Sequence, residues 1–229
     1  MTEEQVVDAI KGLMAVGEYL DEIPGVPGAR LSGGGHFLAD ERGNPYRRMY
    51  VRGSDEYVKA RAAGLVEPLP PLTPASPEAV AATERALDHP LPTFLRRLWL
   101  EVGNGGFGPG YGILGVADGS TDDLGRTALD AYREFHSVRR EQSLPDSLLP
   151  LCHWGCAIYS LVDIASEQGD MWACDPNPGV EDDTFRQPLT LAEWFARWID
   201  GRLHQPALIE DTESGDVRPA TDEDFEQWE

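Results

Sequence analysis

LPTFLRRLWLEVGNGG, residues 91–106, decides how this chain is read. Leu95, Leu98, Trp99 and Val102 fall at i, i+3, i+4 and i+7, while Arg96, Arg97 and Glu101 take other faces. That spacing predicts a short helix with one buried stripe. Pro92 suits a helix start, where its missing N–H would be unpaired anyway, and glycines at 103, 105 and 106 supply the positive φ that ends a helix. No catalytic group lies in the stretch. Just upstream, Ser76 is placed as an N-cap with Pro77 at the first helical position, Glu78 in the first turn, and Val80 and Leu87 seven residues apart. The chain thus reads helix, Leu-Pro, helix, Asn-Gly-Gly.

The remaining elements follow from the same local signals. Residues 2–20 read as a helix opened by a Thr2/Gln5 capping box and striped by Val6, Ile10, Leu13 and Leu20. HFLAD and YRRMYV flank the turn-like ERGNP as a hairpin, and Ser54 caps a short helix ending at Gly64. EPLPPLTPASP, residues 67–77, has closely spaced prolines that favour extended backbone, and it places a boundary near residue 72. Beyond the glycines, YGILGV reads as a strand and residues 127–140 as a helix carrying Leu129, Tyr132 and Phe135. Three short strands follow at 148–152, 157–162 and 171–174, a meander broken at Gly155, at 167–170 and at Asp175-Pro176. Thr190 and Glu193 form another capping box, Leu189 and Trp194 a hydrophobic staple, and Trp194, Phe195, Trp198 and Ile199 a core-facing helix stripe. ALIEDT and DVRPA make a hairpin around residues 213–215, and Thr221 caps a last turn bearing Phe225 and Trp228. The expected units are an N-terminal α/β extension over 1–72, a central domain over 73–201 and an ordered acidic appendage over 202–229.

Composition narrows the function classes. With 229 residues, 41% of them hydrophobic, the chain is long enough for a real core. It contains no apolar run of the roughly 18 residues a membrane span requires. The start, MTEEQVVDAIKG, is acidic where a secretory signal would be basic and then apolar, so the expected location is cytoplasmic. Three cysteines, an odd number, do not make a disulfide framework, in keeping with a reducing compartment. The net charge is −21, from 40 Asp and Glu against 19 Lys and Arg. Such a surface repels phosphate backbones and anionic membranes, which argues against a nucleic-acid or membrane partner. It serves solubility or steers a basic protein.

Sites of chemistry do not emerge. Residues 103–108 match G-x-G-x-x-G, but they follow a helix and open onto a strand, the reverse of the order that brings a pyrophosphate to a helix N-terminus. Cys152, His153, Cys156 and distant Cys174 suggest zinc at first sight. A Cys-x-x-x-Cys run within a strand-like segment is better read as buried cysteines and a strand-end histidine. Neither G-x-S-x-G nor H-E-x-x-H occurs, and acid pairs such as Asp122-Asp123 and Asp182-Asp183 are commonplace in so acidic a chain. No catalytic, cofactor-binding or metal-binding residue is therefore assigned.

The order of elements, with Leu91-Pro92, Phe94, Leu98, Asn104-Gly105-Gly106, the segment from Gly112 to Gly115, Leu149-Pro150-Leu151 with Gly155, Gly169 to Trp172 with Asp175, and Leu191 to Trp198, resembles the SUKH superfamily over residues 73–201. The branch it resembles holds yeast cell-wall-assembly regulators and bacterial toxin-immunity proteins. The resemblance implies an α+β fold with a mixed central sheet of short strands and packed helices. It also implies a non-catalytic protein-binding module, often one that neutralises a toxin by occupying it; a regulatory scaffold and an uncharacterised enzyme are the other classes to separate. Nuclease-type toxins are basic because they hold phosphates, so the acidic charge would complement a basic toxin domain. Residues 1–70 have no counterpart in the family pattern, and the insertion at 118–143 exceeds a minimal connection. Asp118, Asp122, Asp123, Asp182 and Asp183 are the expected partner-facing acids, with charge reversal at the first three expected to leave stability nearly unchanged. Leu91, Pro92, Trp99, Asn104, Gly105 and Gly106 are expected to be architecture.

Overall fold

A computed structural model describes residues 1–28, 47–211 and 216–226. Its first helix, α1 (Glu3–Val16), carries the expected capping box: Thr2 Oγ1 accepts from the Gln5 N–H and the Gln5 side chain from the Thr2 N–H. It stops at Gly17 in the left-handed region, so Leu20 lies beyond the helix. Val6, Val7 and Ile10 are fully buried. Strands β1 (Glu22–Pro24) and β2 (Met49–Val51) pair antiparallel, and α2 (Asp55–Ala62), capped by Ser54, packs beside them. Ile23, Tyr50, Tyr57 and Ala60 form a small core of their own there. The expected pairing of YRRMYV with HFLAD lies outside the described residues; 49–51 takes 22–24 as its partner.

Ser76 and Pro77 open α3 (Pro77–Leu87), and α4 (Thr93–Arg97) begins after Pro92 as the sequence predicts. The stripe of Leu95, Leu98, Trp99 and Val102 is buried throughout. Its second half is wound as a π-helical turn, Leu98–Val102, rather than as α-helix. The cause is external. The Trp99 carbonyl accepts the Ala75 N–H at 2.8 Å, so the Gly103 N–H, which an α-helix would give to Trp99, reaches Leu98 instead at 3.2 Å. The Trp99 indole N–H then donates to the Leu114 carbonyl at 3.0 Å.

Asn104-Gly105-Gly106 holds the next loop like a clasp. Asn104 donates through Nδ2 to the Ala117 carbonyl at 3.0 Å, and its Oδ1 accepts the Val116 N–H at 2.9 Å. Gly105 has φ of 75°, and a Cβ there would sit 2.5 Å from the Gly115 nitrogen. YGILGV is not a strand. Gly110 and Gly112 take positive φ, Ile113 returns to Phe107 and Gly106 through backbone hydrogen bonds, and a single bridge joins Ile113 to Cys152. Local pattern made it a strand; the doubling-back onto the Asn-Gly-Gly loop overrode it.

After α5 (Ala128–Val138), a meander runs β3 (Leu148–Gly155), β4 (Ile158–Asp163), β5 (Asp170–Cys174) and β6 (Thr184–Thr190), in that spatial order. The α+β class holds. The sheet, expected to be mixed, is antiparallel throughout. The sequence gives no sign of β6, because TFRQPLT is a half-exposed edge strand without a clean alternation and with Pro188 in it. The turn between β3 and β4 also corrects the cysteine reading. Cys152 and Cys174 are buried, but Cys156 and Ala157 form the exposed turn at φ of 48° and 61°.

One sheet face, with Leu149, Leu151, Val162 and Met171, joins α1, α3, α4 and the final large helix α6 (Leu191–Ile199) in the main core. Thr190 and Glu193 cap α6 reciprocally, and Trp194, Phe195 and Trp198 are buried as the stripe predicts. Residues before 73 are tied to this core. Asp21 accepts the Trp198 indole N–H and the Gly110 N–H, each at 2.7 Å, while Arg52 lies over the Trp198 ring. The C-terminal hairpin, β7 (Leu208–Glu210) with β8 (Val217–Pro219), forms as expected and leads to α7 (Asp222–Glu226). Buried Asp175 accepts the Leu208 N–H at 2.8 Å and anchors it.

Candidate functional site

The other sheet face is only partly covered. Leu148, Leu161 and Cys174 meet Phe135 of α5 at one end. Beyond that contact a cleft of about 340 Å³ opens between α5, the β3–β4 surface and the loop before α5. Pro150, His153 and Tyr159 supply its sheet side, and Asp123, Leu124, Arg126, Glu134 and Val138 its other walls.

Asp122 builds the loop wall. Its Oδ1 accepts the Leu124 N–H at 3.0 Å and the Arg126 N–H at 2.9 Å, folding 122–126 into a tight turn. Its Oδ2 takes the Arg126 Nε–H at 2.8 Å and the Tyr159 hydroxyl at 3.1 Å. Burial pushes this carboxyl up, but the hydrogen bonds and charge of Arg126 outweigh burial and hold it below its ordinary value. Arg126 also bonds Glu134 at 2.5 Å and the Tyr159 oxygen at 2.6 Å. Burial would lower Arg126, yet its bonds to Glu134 and Asp122 raise it, so it stays a cation. Burial, reinforced by Asp122, raises the Tyr159 phenol, which remains a neutral donor to Asp122. The arginine is therefore fully engaged by its neighbours.

His153 is different. It is 5% exposed, with the Tyr111 and Tyr159 rings tilted against it at 5.7 and 4.8 Å between ring centres, and its Nδ1 has no hydrogen-bond partner. The nearest acid oxygen, Asp123 Oδ1, stands 3.6 Å away, beyond hydrogen-bond range. On the cleft wall, Leu124 and Val138 are each 70% exposed, and Tyr111, whose ring flanks His153, is 67% exposed. Leu124 and Val138 thus put exposed apolar surface on the wall of a single cleft of an acidic molecule.

The structure splits the five acids expected to face a partner. Asp118, Asp123 and Asp182 are exposed. Asp122 and Asp183 are not: both are buried, Asp122 in the network above and Asp183 against Arg139 at 2.8 Å. Charge reversal at Asp122 would strand Arg126, so the expected neutrality to stability is corrected for that position. Of the five, only Asp123 lines the cleft. Sequence reading missed Tyr111, Leu124, Arg126, Glu134 and Val138, and treated His153 as a strand-end residue. These groups come from four separate segments with no shared spacing to connect them. Of the motif residues, Leu91 and Pro92 are buried, Trp99 is at the core, and Asn104 to Gly106 form the clasp.

Among the described residues no helix is long and apolar enough to cross a membrane, and no group of three or more His, Cys, Asp or Glu is placed to hold a metal. An antiparallel meander backed by α6 and α1, with a half-covered opposite face, defines a small α+β module. The chain belongs to the SMI1 / KNR4 family (SUKH-1), whose model matches residues 74–201. No curated protein matches the chain significantly.

Proposed function

We propose that this family member is a non-catalytic protein-binding module, and specifically an immunity protein that neutralises a basic, nuclease-type toxin domain by binding it directly. The observation that carries the reading is the cleft of the matched domain, where Leu124 and Val138 stand exposed, with exposed Tyr111 beside the cleft's His153, on a molecule of net charge −21. Exposed apolar anchors give an interface its central contacts, and the acidic field speeds encounter with a basic partner. Four of the cleft's polar groups are committed to one another, Arg126 to Asp122 and Glu134, and Tyr159 to Asp122, which suits a fixed binding surface.

The test is to identify toxin domains encoded beside this gene, co-express each with the chain, and measure toxicity and complex formation. Rescue of growth with a 1:1 complex whose association slows as salt rises is the expected result. If neighbouring toxins are neither bound nor neutralised, and affinity purification returns several cell-wall-assembly proteins, the chain is a regulatory scaffold instead.

A further inference from the structure

We infer that the cleft is a receptor for one arginine side chain of the protein partner, held between Asp123 and His153 and stacked beside Tyr111. The inference rests on the protein-binding reading and names the group that would anchor it. His153 Nδ1 is a buried ring nitrogen with no partner. With the proton on Nε2, it is an acceptor whose lone pair is unused, and leaving such a group unpaired is costly. Asp123 Oδ1 lies 3.6 Å from it, and the Asp123 side chain is 68% exposed on the loop. Two acceptors side by side, which cannot serve each other, match the parallel N–H groups of a guanidinium. Nδ1 is shielded from water, so the incoming donor reaches it only as the exposed Asp123 side chain and the loop that carries it adjust.

Charge selects the cation. The cleft's arginines are occupied, Arg126 by Asp122 and Glu134 and Arg139 by Asp183, so neither is left for an anion. Asp123 has no arginine or lysine partner among the described residues, so the uncompensated charge is negative. The Tyr111 ring, 67% exposed, offers a face to a planar cation, and Leu124 and Val138 cover the alkyl stem.

The probe is the capped tripeptide acetyl-Leu-Arg-Leu-amide, titrated into the labelled full chain and followed by NMR at the His153 ring and the Leu124 and Val138 methyls. The expected result is saturable shifts at those positions, absent with the citrulline analogue. Asp123→Asn should weaken binding about tenfold, the lower end for a charge-assisted hydrogen bond. Asp118→Asn, exposed but outside the cleft, should bind like the wild type. The inference is overturned by absence of shifts up to about 10 mM peptide, a far weaker affinity than one anchored side chain gives, by equal shifts with citrulline, or by equal weakening in both variants. A toxin domain bound equally by wild type and Asp123→Asn also overturns it, while leaving the protein-binding reading intact. Tripeptide binding without any toxin complex upholds the receptor and removes the immunity reading.

Discussion

Asp122→Ala is the sharpest test of how the cleft is built. The wild-type side chain is wholly buried and holds the Leu124 and Arg126 N–H groups, the Arg126 guanidinium and the Tyr159 hydroxyl. Removing one partner of a buried ion pair costs about 3–5 kcal/mol. Arg126 is 18% exposed and keeps Glu134 at 2.5 Å, which places the loss at the lower end, about 3 kcal/mol. For a protein of this size that corresponds to a fall in Tm of roughly 6–12 °C. Asp122→Asn retains an acceptor for the two backbone N–H groups and should lose less. Urea and thermal unfolding followed by tryptophan fluorescence give both values. The same carboxyl sets a pH dependence. Its folded pKa lies below the unfolded value of about 3.9, so its contribution is present above that value and is lost as pH falls through the folded pKa. The stability gap between wild type and Asp122→Ala should therefore close below about pH 4. A variant within about 0.5 kcal/mol of wild type at neutral pH would refute the network, since that is the range of an ordinary surface change.

Trp99→Ala should cost about 3–5 kcal/mol in a denaturant melt, because the side chain is fully buried and its indole N–H holds the Leu114 carbonyl. Gly105→Val combines a positive φ with a Cβ driven against the Gly115 nitrogen and the Ile113 carbonyl, so it should lower Tm strongly; an unchanged Tm would show that the clasp is not structural. Deleting residues 1–21 should abolish cooperative unfolding of the remainder, because Val6, Val7 and Ile10 sit in the main core and Asp21 ties Trp198 to Gly110. A cooperative melt of the truncated chain at the full-length Tm would show that α1 is an accessory.

By itself the sequence determined the capped helices and most of the meander. The Thr2/Gln5 and Thr190/Glu193 boxes, the Ser76-Pro77 start and the Ser54 cap all formed where predicted, because a cap satisfies backbone donors within one turn of the chain. The apolar stripes of α4 and α6 were legible for the same reason: their spacing is a property of the helix itself. Tertiary structure decided the rest. Ala75, more than 20 residues away along the chain, took the Trp99 carbonyl and turned α-helix into π. The return of Ile113 to Phe107 turned a strand-like segment into a clasped loop. Asp122 and Asp183, two of five acids that read alike in the sequence, were buried by Arg126 and Arg139. The cleft joins Asp123 and Leu124, α5 and the β3–β4 surface, segments no local pattern links. Whether an acid faces solvent or an arginine depends on what the fold brings opposite it, and that information is spread across the chain rather than held at the residue.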